Sequence, residues 1–272
     1  HHYQAKDMAA DLLNDLRTKR AARDRPHFHG EFGISHSGAE TARMDPGSVH
    51  LHNALYASVT QGAAGTPMTW WWDSYVHPKG LYPVFSAFSR WIDGFDAAES
   101  SIRPVSATPM SKQPRQGTPP QQPVTFDLVR GTWKRAPFNA PITVTVAPDG
   151  MATRNAQPST VLHGSGGGNA RFEETALRCY GRVGHRNGLV WLQNSAYTWK
   201  RTAGRQHPPP VLTGCTVSLS PVPVGRWQIE WWDTVQGAVT RTTEASASVK
   251  EELVIDLPEI PWDLGLRLTR KR

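Results

Sequence analysis

The hydrophobic pattern of the 272-residue chain changes near residue 100, and this change limits the folds that the chain can adopt. Before that point, apolar residues recur every three or four positions, with short apolar stretches between the runs. Beyond about Val124, apolar and polar residues alternate in short runs that Pro and Gly separate. The first spacing is typical of an amphipathic helix and the second of a half-buried strand. The sequence therefore predicts an α/β region followed by an all-β region.

Residues 1–99 form the predicted α/β region. Two short apolar stretches, 27–34 and 66–73, indicate buried strands. Helices are predicted before, between and after them, at 7–23, 48–61 and 82–95. Helices that alternate with strands are typical of parallel strands joined by crossover helices.

Residues 124–272 form the predicted all-β region, and the Pro-, Gln- and Ser-rich residues 100–123 form a predicted linker between the two regions. Short alternating runs with Pro and Gly turns are typical of an antiparallel β-sandwich. The runs are 142–146, 188–193, 215–219, 226–232 and 253–257.

Composition narrows the classes of function. The formal net charge is +7, but the basic residues are dispersed, with clusters only at 17–20 and 269–272. Dispersed charge is a weaker nucleic-acid footprint than a basic stripe, so no nucleic-acid partner is predicted. No stretch approaches the roughly 20 apolar residues of a membrane span, so no membrane partner is predicted. Cys179 and Cys215 form no CxxC pattern, so neither a metal site nor a cofactor is predicted; whether they form a disulfide stays open.

Glu31 is the residue that most needs an explanation. It lies in the apolar stretch 27–34, between Gly30 and Gly33. Burying a carboxylate without a partner costs free energy. Two explanations stay open: an Arg partner in the core, or a catalytic carboxylate at the C-terminal end of a barrel strand.

Several motifs together resemble the last part of the catalytic barrel of clan-A glycoside hydrolases, in particular the cellulase- and mannanase-like branch (family 5 type) found in large bacterial proteins. They are G-E-F-G at 30–33, H-x-H-N-A-L-x-A at 50–57, G-A-A-G-T-x-M-x-W-W-W-D-S-Y at 62–75 and L-Y-x-x-F at 81–85. The motifs V-W-L-Q-N-S-A-Y-T-W at 190–199 and G-R-W-Q-I-E-W-W-D-T-x-x-G at 225–237 resemble the β-sandwich that follows that barrel. The resemblance implies the last part of a (β/α)₈ barrel, about three β/α units, followed by an antiparallel β-sandwich.

The resemblance also implies a role for particular residues. Glu31 takes the place of the nucleophile, and Tyr3 that of the tyrosine that orients it. The implied substrate-binding residues are His2, His36, Trp70 and Trp72. Strand alternation places Trp70 and Trp72 on one face and Trp71 on the other, although a slip of one residue would exchange them. Two plainer interpretations stay open, in which the Trp run is core packing and Tyr3 is an ordinary terminal residue.

The family's acid/base Glu, which usually follows an Asn, has no counterpart, because the chain contains no Asn-Glu pair. A complete barrel needs about 250 residues, and only residues 1–99 match it. The sequence therefore predicts a fragment of a retaining glycoside hydrolase that acts on a polysaccharide or oligosaccharide, is inactive alone, and is secreted, periplasmic or at the cell surface. The alternative is a non-catalytic carbohydrate-binding or structural module. Its candidate residues are Trp191, Trp199, Trp227, Trp231 and Trp232.

Overall fold

The computed structural model describes residues 2–3, 5–22, 25–99, 101–110, 177–202, 209 and 211–271, and the backbone of short strands between 124 and 171. The chain forms two compact units. One unit consists of His1–Met110 with Leu177–Arg272, and the other of Ser111–Ala176.

The larger unit contains the described helices. They are α1 (Met8–Ala22), α2 (Gly38–Met44), α3 (Val49–Thr60), α4 (Tyr82–Ile92) and α5 (Trp199–Thr202), with one π-helical turn at Trp72–Val76. α1, α3 and α4 confirm the three predicted helices, whereas α2 lies in a stretch of polar sequence that had no predicted helix. Among the described residues, no helix combines the length and the apolar character that crossing a membrane requires.

The strands, numbered along the chain, divide between the two units. They are β1 (Arg103–Met110), β2 (Val124–Asp127), β3 (Thr143–Val146), β4 (Ala152–Arg154), β5 (Gln157–Ser159), β6 (His163–Gly164), β7 (Ala170–Arg171), β8 (Leu177–Val183), β9 (Asn187–Asn194), β10 (Thr216–Ser220), β11 (Gly225–Asp233), β12 (Ala238–Ala247), β13 (Leu253–Asp256) and β14 (Asp263–Arg270). In the smaller unit, β2 to β5 form an antiparallel sheet in chain order, and β6 pairs with β7.

The larger unit is built on one eight-stranded sheet with the order β12-β11-β14-β9-β8-β1-β10-β13. All of its neighbouring strands are antiparallel. The edge strands β12 and β13 also contact each other, so the sheet nearly closes into a barrel. Alternate side chains fill its interior, among them Trp227, Ile229 and Trp231 of β11.

A second core lies between the outer face of the sheet and the helices. Trp191 of β9 stacks on Tyr180 of β8, with ring centroids 5.4 Å apart, and on Tyr56 of α3, at 6.0 Å. Trp232 joins this outer core, because it follows the interior residue Trp231 and successive side chains of a strand point to opposite faces. The register of β11 and β12 shifts between these two residues, which marks a β-bulge or irregularity there.

The predicted fold class was wrong. In the described residues, the stretches predicted as barrel strands make only isolated parallel bridges, from His2 to Phe32 and from Phe32 to Thr69. The dominant element is one nearly closed antiparallel sheet with helices outside it, and not part of a (β/α)₈ barrel followed by two facing sheets. The physical reason is that alternating strands have the same period in a sandwich and in a barrel, while a short apolar run does not by itself determine a strand. β1 also lies inside the stretch predicted as a linker.

Candidate functional site

Three extended segments bring the predicted site residues together. The backbone N–H of His2 donates to the carbonyl of Glu31 at 3.0 Å, and that of Gly33 donates to the carbonyl of His2 at 2.9 Å. On the other side, the N–H of Phe32 donates to the carbonyl of Met68 at 3.0 Å. The segment around Glu31 is therefore held between the segments that carry Tyr3 and the Trp run.

The Tyr3 hydroxyl donates a hydrogen bond to Glu31 Oε1. Both residues are half-buried. The pKa of Tyr3 is raised well above its ordinary value. Burial is the largest cause, followed by the hydrogen bond to Glu31 and the negative charge of Glu31. The phenol therefore remains a protonated donor at neutral pH and holds one oxygen of the Glu31 carboxylate in place.

Gly33 allows aromatic rings to approach the backbone beside this pair. A Cβ atom at Gly33 would lie 3.0 Å from Tyr3 Cε1 and 3.3 Å from Trp71 Nε1. The Trp71 indole is fixed there, because its N–H donates to the carbonyl of Ser35 at 2.9 Å. On the other side, the Tyr3 ring stacks on His36, with centroids 5.5 Å apart. Trp71 and His36 thus flank the tyrosine whose hydroxyl donates to Glu31.

The remaining predicted residues occupy two different environments. Trp70 and Trp72 are 55% and 66% exposed, and Trp71 contacts the site between them. The side chain of His2 lies against α1, where its Nδ1 is 2.6 Å from Asp11 Oδ2. The structure thus brings Tyr3, Glu31 and His36 together, leaves two indoles at the surface, and places His2 in a separate polar cluster.

Two residues near the site were missing from the sequence prediction. Trp71 was assigned to the opposite face by strict alternation, but a π-helical turn begins at Trp72 and no regular strand continues through it. Glu40 of α2 accepts a hydrogen bond from the Ser35 hydroxyl. The backbone carbonyl of Ser35 accepts another from the Trp71 indole N–H. Ser37, the helix N-cap of α2, was the only local signal for the helix that carries Glu40.

The five tryptophans of the alternative binding module are structural. All are at least nine-tenths buried: Trp191, Trp199, Trp227, Trp231 and Trp232. Each indole N–H donates within the fold, for example from Trp199 to the carbonyl of Ala5 at 2.8 Å and from Trp227 to that of Pro223 at 2.8 Å. A buried Trp with a bonded N–H is the normal state of a core residue. These rings do not offer faces for stacking on a sugar.

A group of possible metal ligands lies beside this site, formed by His2, Asp15 and His29, whose ligand atoms are within 4.8 Å of one another.

Comparisons with known proteins add no identification. No protein-family model matches the sequence, and no curated protein shows a significant match to it.

Proposed function

We propose that this chain carries the nucleophile side of a retaining glycoside hydrolase site, in which Glu31 attacks the sugar and Tyr3 orients Glu31. The observation that carries the proposal is the hydrogen bond from the Tyr3 hydroxyl to Glu31 Oε1. A retaining glycosidase needs an ionised carboxylate that forms a covalent glycosyl intermediate. The Tyr3 hydroxyl fixes the position of one oxygen of the Glu31 carboxylate.

The surroundings of the pair suit a polysaccharide or oligosaccharide. The stacked Tyr3 and His36 rings and the adjacent Trp71 form an aromatic border. Trp70 and Trp72 extend it with indoles that are more than half exposed. Flat aromatic faces of this kind can cover the C–H faces of sugar rings, and a cluster of exposed apolar rings is typical of an interaction site.

Glu31 is one of the two carboxyl groups that a retaining mechanism needs. The second carboxyl group is an acid that protonates the leaving oxygen, and it lies about 5–5.5 Å from the nucleophile in retaining enzymes. The sequence contains no Asn-Glu motif for it. We therefore expect the chain alone to be inactive on natural glycosides, whose leaving groups need protonation, and to react only with activated glycosides.

Activated glycosides give a direct kinetic test. A 2,4-dinitrophenolate leaves without protonation, so its release from a panel of 2,4-dinitrophenyl glycosides reports the nucleophilic step alone. We expect release by the wild-type chain and its loss in Glu31→Gln, which keeps the shape but not the nucleophile. Tyr3→Phe removes a hydrogen bond to a charged group, about 1.5–3 kcal/mol, and should slow the reaction about 10- to 100-fold.

Glu244→Gln is the matched control, because it removes a 45% exposed carboxylate from β12, which contributes no residue to the proposed site. We expect it to release dinitrophenolate at the wild-type rate. Release that is equal in the wild type and in Glu31→Gln would remove Glu31 from the nucleophile role.

A second candidate function, non-catalytic carbohydrate binding, is favoured by the exposure of Trp70 and Trp72. In that case soluble polysaccharides bind the wild type and Glu31→Gln equally, and dinitrophenyl glycosides are not turned over by either. The double variant Trp70→Ala/Trp72→Ala should then lose binding, while Trp199→Phe, a change in the core, should retain it.

A further inference from the structure

A polar cluster fills the space between α1 and the segments that carry Tyr3 and Glu31. His27 and His29 are two residues apart on an extended segment, so they project to the same side. Asp11 and Asp15 are one turn apart on α1 and face them. His2 directly precedes Tyr3 and completes the cluster, where its ring contacts that of His29 edge-on at 4.9 Å.

Three imidazoles converge on one carboxylate oxygen. Asp15 Oδ2 lies 3.4 Å from His2 Nε2, 3.2 Å from His27 Nε2 and 3.3 Å from His29 Nε2. A tetrahedral zinc ion with bonds of about 2.0–2.2 Å holds its ligand atoms about 3.3–3.6 Å apart. The spacing from the oxygen to each nitrogen is therefore close to that of a tetrahedral metal site.

His29 gives independent evidence for a ligand. The residue is 3% exposed, and neither of its ring nitrogens makes a hydrogen bond. A buried polar atom without a hydrogen bond costs free energy, and native structures seldom leave one unexplained. A cation bound at Nε2 would satisfy one of the two nitrogens.

Asp11 supplies the outer contact that metal-binding histidines usually have. Its Oδ2 lies 2.6 Å from His2 Nδ1 and accepts the proton of that nitrogen, which leaves Nε2 as the ligand atom. The side chains of His27 and Asp15 are 26% and 23% exposed, so an ion can enter from that side.

We propose that His2, His29 and Asp15 bind one zinc ion. Three protein ligands leave one position of a tetrahedral shell open. The ion would fasten α1 to the two segments that hold Tyr3 and Glu31, and the proposal is independent of what those two residues do.

The test is calorimetric titration of ZnCl₂ into the full chain at pH 7, purified without a histidine tag. We expect one zinc ion per chain. His29→Ala and Asp15→Asn should each lose this binding, and Asp11→Asn should weaken it about 10- to 100-fold. His185→Ala, which removes an exposed histidine distant in sequence from the cluster, should bind as the wild type does.

Cobalt gives a second readout that does not depend on the stability of any one variant. Co²⁺ in the wild type should show the intense visible absorption of a four-coordinate ion, and this band should disappear in Asp15→Asn, whose partly exposed side chain makes misfolding less of a concern. The proposal is overturned if the wild type binds no zinc at one equivalent. It is equally overturned if binding persists in both His29→Ala and Asp15→Asn.

Discussion

Asp263 on β14 joins the helical layer to the sheet, and its replacement is the sharpest test of how the larger unit is held together. Its side chain is 1% exposed. Oδ2 accepts hydrogen bonds from His52 of α3 at 2.6 Å and from the Trp191 indole of β9 at 2.7 Å. Oδ1 accepts one from the Thr234 hydroxyl at 2.5 Å.

The cost of Asp263→Asn can be worked out from these bonds. The change keeps the side-chain volume, so it opens no cavity. It removes the charge that attracts His52, and a hydrogen bond to a charged group contributes about 1.5–3 kcal/mol. It also turns one acceptor into a donor, which leaves a buried donor unpaired at a further cost of about 1–3 kcal/mol. The sum of these two costs is similar to the loss of about 3–5 kcal/mol that follows when a buried ion pair is broken.

Urea unfolding followed by tryptophan fluorescence measures this difference, because Trp191 contacts the altered residue. We expect the free energy of unfolding to fall by about 3–5 kcal/mol and Tm to fall by about 6–20 °C. The control is Asp96→Asn, which breaks an Asp96–Arg186 pair whose side chains are 46% and 72% exposed. Exposed pairs contribute at most about 1 kcal/mol. A loss in Asp263→Asn no larger than in Asp96→Asn would refute the reasoning.

Two further predictions concern pKa and thiol chemistry. Burial acts to raise the pKa of Asp263, but attraction to His52 and the hydrogen bonds outweigh burial and lower that pKa. The ionised Asp263 therefore contributes fully to the free energy of unfolding above the ordinary pKa of 3.8. This contribution is lost as the pH falls through the lower pKa of the folded state. In an acid titration of the free energy of unfolding, the difference between the wild type and Asp263→Asn should start to shrink below about pH 4 and continue to shrink as the pH falls through the lower folded value. A constant difference would contradict this. Cys179 and Cys215 are free. Burial raises the pKa of Cys179 to about 12, so iodoacetamide should label Cys215 first in the native protein, and faster labelling of Cys179 would be the contrary result.

The local structure was more predictable than the topology. α1, α3 and α4 have sustained helical spacing, β11 has clear alternation and β9 is a short apolar run, so each could be located from the sequence. The sequence could not predict which distant strands pair with each other, because alternation has the same period in a sandwich and in a closed sheet.

The position of β1 shows the consequence of this limit. Its strand contains two prolines and lies in a stretch whose composition is typical of a linker. It nevertheless pairs with both β8 and β10 and joins the two parts of the sheet. Because β1 separates them, β8 and β10 are two strand spacings apart, about 9.6 Å, which exceeds the Cα separation of about 4.4–6.8 Å in a disulfide. This answers the open question about Cys179 and Cys215.

At the candidate site, residue type was a better guide than assumed geometry. The proximity of Tyr3 and Glu31 follows from a resemblance in sequence, and the structure joins them by a hydrogen bond. The position of Trp71 could not follow from alternation, because a π-helical turn interrupts the segment. The proposed zinc ligands were missed because only cysteine spacing was considered. The signal of the polar cluster is present as His27 and His29 two residues apart and Asp11 and Asp15 four residues apart.

The central claim is that Glu31 is a nucleophile, and trapping its covalent intermediate tests that claim most directly. A 2,4-dinitrophenyl 2-deoxy-2-fluoro glycoside of the sugar that reacts fastest carries an activated leaving group and forms a long-lived glycosyl ester. The account predicts one added fluoroglycosyl group per chain in the intact mass, located at Glu31 by peptide mapping and absent from Glu31→Gln. A label on another residue, or the same label in Glu31→Gln, would contradict it.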